Sequence, residues 1–150
     1  MLLKFGAGVI HITGALEYSA GERRGRRFGI LLQVGVEEHP TEVILDTGAP
    51  YFMCTPQLAT IIDIHTKRRL FTETILFRGK WLEGSVYSLK LAIAPDDGMG
   101  SGIELKVSGF VPSDPEGLEE VLPYPSLGWI GCLESTPFAV DPGRRTFYFC

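Results

Sequence analysis

Asparagine is absent from this chain of 150 residues. No Asn-x-Ser/Thr acceptor for N-glycosylation can therefore exist in it. Cysteine is scarce: Cys54, Cys132 and Cys150 are an odd number at wide spacing. That excludes a disulfide framework and the paired spacings of a zinc site. A reducing, cytoplasmic setting is the simplest reading. Long apolar runs are missing too, and no stretch reaches the roughly 18–20 residues of a membrane-spanning helix. Met1–Ala20 is partly apolar with one early lysine, as a weak signal peptide would be, but Gly6, Gly8, His11, Thr13 and Gly14 interrupt it. It reads as short strands, with secretion the lesser alternative. An excess of positive charge is also missing. The net charge is −4, which argues against a nucleic-acid partner. The cluster Arg23-Arg24-Gly25-Arg26-Arg27 is local and reads as a solvated turn between strands. Gly98-x-Gly100-x-Gly102 lacks the bracketing strand and helix of a nucleotide fingerprint. The acidic loop 114–120 lacks EF-hand spacing. No metal or organic cofactor is expected.

What is present is glycine (18) and proline (10) in a chain that is 45% hydrophobic. This favours many short strands over long helices in a single domain, residues 1–150. Strands are expected at Val9–Ile12, Leu16–Ser19, Phe28–Val36, Thr41–Leu45, Leu70–Phe77, Ser85–Ala94, Ile103–Val111, Phe138–Asp141 and Thr146–Phe149. Residues 28–45 form a hairpin about the turn Val36–Pro40. Pro56–Thr66 carries Leu58, Ile61, Ile62 and His65 at helical spacing, with Thr55 as N-cap and Pro56 at N1. A second short helix is expected at Gly128–Ser135, and a helical turn at Leu118–Leu122. The fold class is all-β.

The run Val43-Ile44-Leu45-Asp46-Thr47-Gly48-Ala49 stands out. Three apolar β-formers end abruptly in an acid, a hydroxyl residue and a glycine. A carboxylate at the end of a buried strand is costly to desolvate. Its plain explanation is an Asx-turn, with Asp46 accepting backbone N–H bonds. Its catalytic explanation is half of an aspartic dyad. Two carboxylates about 3 Å apart cannot both ionise, so they share one proton. One then acts as base toward water and the other as acid toward a scissile carbonyl. Gly48 lets the backbone turn closely, and the Thr47 hydroxyl can hold the loop to a partner loop. The chain has one Asp-Thr-Gly and no Asp-Ser-Gly, and Asp96-Asp97-Gly98 lies in a Pro/Gly-rich turn. A dyad therefore needs a second copy, with Asp46 of each meeting on a two-fold axis.

With this motif the chain resembles the retropepsin-like aspartic proteases, single-domain dimeric relatives of pepsin, from about Phe28 to Phe149. Asp46-Thr47-Gly48-Ala49-Pro50, Gly131-Cys132-Leu133-Glu134, and Val140-Asp141-Pro142 with Phe147-Tyr148-Phe149 look like bacterial members. The resemblance implies a closed acid-protease barrel with one or two short helices. It implies a flap hairpin over residues 71–94 with its tip at Arg78–Gly84, making Gly79, Trp81 and Gly84 flap or substrate residues. Leu127-Gly128 would pack beneath the catalytic loop, and Phe147–Phe149 would join a dimer sheet. Asp46 would be catalytic in a homodimeric endopeptidase acting on extended peptide or protein substrates. The alternative is a catalytically weak or inactive dimerisation or peptide-binding module on the same fold.

Several positions depart from the family pattern. Ser126 stands where an apolar residue is usual, so the frame could instead be Trp129-Ile130-Gly131. Pro50 replaces a polar residue, the flap tip is poor in glycine, and residues 1–27 have no clear counterpart. Trp81, an aromatic at a hairpin tip, reads as a substrate lid or a partner contact. A Cys54–His65 nucleophile pair is conceivable only from proximity along one helix.

Overall fold

The computed structural model describes the backbone of residues 2–5 and 8–150, and side chains from residue 11 onward except those of Arg23 and Arg27. Thirteen strands are present among these residues. They are β1 (Leu2–Phe5), β2 (Gly8–His11), β3 (Gly14–Glu17), β4 (Ser19–Arg23), β5 (Arg26–Val36), β6 (His39–Leu45), β7 (Phe52–Met53), β8 (Arg69–Phe77), β9 (Lys80–Ile93), β10 (Ile103–Pro112), β11 (Ser126–Leu127), β12 (Phe138–Asp141) and β13 (Thr146–Phe149). One helix, α1 (Pro56–Ile61), follows β7. Two 3-10 turns complete the regular structure. No described helix is long and apolar enough to cross a membrane.

The main sheet has eight strands in the order β4-β5-β6-β11-β7-β10-β9-β8. A further antiparallel pairing, Gly35 with Ala92 and Val36 with Leu91, joins β5 to β9 and closes the sheet on itself. Alternation drives this arrangement. Leu32, Val34 and Val36 of β5 face inward, and Val43 pairs with Leu32 across the hairpin. Leu89, Leu91, Val107, Leu127, Phe147 and Phe149 fill the same core. A second cluster, Tyr51, Met53, Ile75, Phe77, Leu82, Val86, Phe110, Leu118 and Leu122, seats the β8–β9 hairpin on the loop before β11. The helical turn expected at Leu118–Leu122 is there, with the Leu122 N–H bonded to Leu118 O at 2.7 Å and both leucines buried.

Three sequence expectations are corrected. The helix over 56–66 breaks after Ile61: Asp63 adopts φ 52° and a 3-10 turn follows at Ile64–Thr66. The break lets Ile62 and Ile64, two apart, both reach the core while Ile61 is left exposed. No α-helix forms over 128–135. Gly131 sits at φ 60° against Ser108, and only Leu133–Ser135 coils as a 3-10 turn. The hairpin tip is not Arg78–Gly84 but the two residues Arg78-Gly79, at φ 48° and 79°. Two positive φ values suit the right-handed twist of the flanking strands. Apart from these, β13 (Thr146–Phe149) is the central strand of a three-stranded sheet, β12-β13-β3. Both of its edges are used within the chain, and the outer side of β3 is bonded to residues 96–101, so a sheet shared with a second copy would run through β12. The segment 1–27 thus supplies β3 to this sheet and β4 to the edge of the main one, while β1 and β2 pair with each other.

Candidate active site

Asp46 follows the last residue of β6, and its surroundings are built from backbone. Leu45 pairs in parallel with Leu127 of β11, and the Asp46 N–H donates to Leu127 O at 3.0 Å. The Gly48 N–H donates to Asp46 Oδ1 at 3.0 Å, and the Ala49 N–H to Asp46 O at 3.1 Å. The chain thus makes the Asx-turn, and that turn fixes the carboxylate at the mouth of the fold with its side chain 24% exposed. Thr47 and Gly48 are exposed, whereas Ala49 is buried.

Leu127 and Gly128 lie beneath this loop. Leu127 is fully buried. A Cβ on Gly128 would stand 1.9 Å from Tyr51 O and 2.7 Å from Ala49 O, so only glycine fits. The next two residues continue the clasp: the Trp129 N–H donates to Ala49 O and the Ile130 N–H to Pro50 O. The frame that pairs with β6 is therefore Ser126-Leu127-Gly128. Trp129 and Ile130 are nearly half exposed. Ser126 is fully buried, and its hydroxyl has no hydrogen-bond partner among the described residues.

The other oxygen of Asp46 has a partner that sequence reading missed. Arg78, at the tip of the β8–β9 hairpin, places Nη2 2.8 Å from Asp46 Oδ2. Its Nη1 donates to Val121 O at 2.5 Å, and its guanidinium lies 4.7 Å from the centre of the Phe77 ring. One arginine thus ties the hairpin tip to the acid and to the 113–125 loop. The signal was present as a charged residue at a hairpin tip, but its reach depends on a register that the sequence does not print.

The remaining hairpin residues are placed differently from one another. Gly79 is at the bend. Trp81, 69% exposed, pairs across the strands with exposed Leu76, while Ile75, Phe77 and Leu82 on the opposite face are buried. Trp81 is therefore on the outer face of the hairpin, away from the packed side. Gly84 is not at the tip at all. It lies mid-strand opposite Glu73 and Pro112, where a Cβ would meet Val111 O at 2.4 Å and the Phe110 ring at 2.6 Å.

Cys54 and Cys132 are buried and offer no nucleophile. Burial pushes the Cys54 and Cys132 thiols up to about 12, and a buried, protonated thiol is inert. His65 is exposed. Among the described residues no three His, Cys, Asp or Glu side chains gather as a metal site. Tyr51, behind the loop, donates its hydroxyl to Glu73. Burial, reinforced by that carboxylate, raises the phenol to about 12.

A solved structure of a retropepsin-like aspartic protease from Rickettsia conorii matches this chain with a TM-score of 0.57, over 91% of this chain and 89% of that one. The fold is retropepsin-like. The shared identity is 18%, so the likeness extends to the fold alone. No protein-family model matches the chain. No curated protein sequence matches it either. In this retropepsin-like fold the loop Asp46–Ala49 closes the β6 strand, and β11 with Gly128 forms the support below it.

Proposed function

We propose that the chain is one subunit of an aspartic endopeptidase and that Asp46 of two copies forms the dyad. The observation that carries this reading is the setting of Asp46. On a retropepsin-like fold, the only Asp-Thr-Gly ends an apolar strand on a loop locked from below by Leu127 O and Gly128. One carboxylate of the pair would take a proton from water while the other protonates the scissile carbonyl oxygen, so no metal or organic cofactor is required. The exposed Thr47 supports contact with the partner's loop. An extended peptide would run between the two subunits beneath the β8–β9 hairpins, bound by strand addition.

The test is cleavage of a denatured protein or a peptide library at mildly acid pH, with mass in solution measured alongside. Asp46→Asn is expected to lower the rate at least about 1000-fold while leaving the fold intact. Undiminished cleavage by that variant would overturn the proposal. A second reading, a weakly active or inactive module that dimerises or binds peptide, draws support from Arg78, which already occupies Asp46 within one subunit. A well-formed dimer that cleaves nothing would favour it.

A further inference from the structure

Arg78, which bonds Asp46, also belongs to a group of arginines that line one cleft. An open cleft of about 880 Å³ is lined by Arg24, Arg26 and Arg78, by the carboxylate residue Glu120, and by Phe28 and Pro123 as apolar walls. Three separate parts of the fold converge there. The β4–β5 turn brings Arg24, at φ 52° beside Gly25 at 71°, and Arg26 at the start of β5. The β8–β9 turn brings Arg78. The 113–125 loop brings Pro123 and Glu120. Arg24 and Arg26 are exposed and make no ion pair among the described residues. Glu120 is already engaged. Arg78 belongs to both places, since it lines the cleft and bonds Asp46 at 2.8 Å.

Guanidinium groups collected at the mouth of a peptide-binding site recognise carboxylates, because the planar fork matches two carboxylate oxygens. We infer that this cleft is a subsite for an acidic side chain of the substrate, an aspartate or glutamate near the scissile bond, held by Arg24, Arg26 and Arg78. The inference rests on the peptide-cleaving reading of Asp46 and names its substrate class. It also gives Arg78 a role. The substrate carboxylate competes with Asp46 for the same guanidinium, so an acidic peptide draws the hairpin tip off Asp46 and leaves that carboxylate to its twin. Arg78 is in this sense a positioning residue, and Arg24 and Arg26 set specificity.

The experiment compares matched peptides that differ only by glutamate against glutamine at positions flanking the cleaved bond. The wild type is expected to favour the acidic peptide about tenfold in kcat/KM, and more at low salt. In Arg24→Gln/Arg26→Gln the acidic-to-neutral ratio falls toward one. Lys106→Gln, which removes a cation lining a different cleft with Glu37, Lys90 and Glu104, keeps the wild-type ratio. A wild-type ratio near one overturns the inference and leaves the protease reading standing. If neither peptide is cleaved, the protease reading fails, and fluorescence anisotropy of the labelled peptides on the wild-type protein decides the cleft. Preferential binding of the acidic peptide that is lost in the double variant upholds the cleft as a carboxylate receptor. Equal or absent binding overturns it.

Discussion

At the scale of single residues, the loop under Asp46 is where small changes matter most. Gly128 has no room for a methyl group because the nearest obstacle, Tyr51 O, is backbone and cannot rotate away. Gly128→Ala is expected to destabilise by about 3 kcal/mol, which corresponds to a fall of roughly 10 °C in Tm, read by calorimetry. Two residues earlier the expectation reverses. The Ser126 hydroxyl is fully buried and unpartnered among the described residues, and an unsatisfied polar group opposes burial. Ser126→Ala is expected to be neutral or to stabilise by up to about 1 kcal/mol in a denaturant titration. A clear loss of stability would mean that the hydroxyl is bonded after all. The apolar-apolar-Gly pattern was legible in Leu127-Gly128, and the ambiguity at Ser126 came from polarity alone. Burial beside Ile44 resolves it, because Ser126 occupies the strand position despite its hydroxyl.

At the scale of elements, the β8–β9 hairpin was readable as a hairpin but not in its register. Residues 80–84 looked like a loop because Gly84 and the charged residues mask the alternation. Pairing from Phe77–Lys80 onward shows that they belong to a strand. Gly84 is explained by packing rather than by turning, since Phe110 and Val111 occupy the space of its missing side chain. The tip is tied down by Arg78 through the Asp46 ion pair and the Val121 carbonyl. Such partly exposed pairs contribute about 0–1 kcal/mol. Arg78→Gln should therefore lower hydrogen-exchange protection of the Leu76–Trp81 amides by up to about fivefold, with little change in global stability. An unchanged exchange rate there would show that the apolar underside, Ile75, Phe77 and Leu82, holds the hairpin alone. Core packing also overrides local pattern in α1, whose helical spacing extended to His65 but whose core positions required a break at Asp63.

At the scale of the whole molecule, three buried acids couple the fold to pH. Cys54 and Cys132 rise from an ordinary value of 9.0, and Tyr51 from 10.0, each to about 12. The folded chain therefore keeps protons that the unfolded chain releases, and stability falls as pH rises. The loss begins near pH 9, as unfolded thiols ionise, and continues until the folded groups titrate near 12. Below pH 9 these groups contribute no pH dependence. Chemical denaturation at pH 8, 9.5 and 11 should show a steady fall in midpoint, less steep in Cys54→Ala and in Tyr51→Phe than in the parent at matched temperature. A flat profile would contradict the burial of these groups. The assembly expected from the single Asp-Thr-Gly belongs to this scale too. β13 is central in its sheet, and β3 is bonded on its far side to residues 96–101, so among the described residues a partner strand would have to join that sheet at β12.

The sequence by itself determined the strand content, the hairpin into Asp46, the turn at Gly48 and that the chain holds a single Asp-Thr-Gly. These are local or countable properties: alternation, turn chemistry, and one copy of a motif. Tertiary structure alone decided which frame supports the loop, that Gly84 packs rather than turns, that β13 is enclosed, and that Arg78 reaches Asp46 across 32 residues of sequence. Each of those depends on register and on which distant backbone fills the space beside a residue, and neither is encoded in the residues at the position itself.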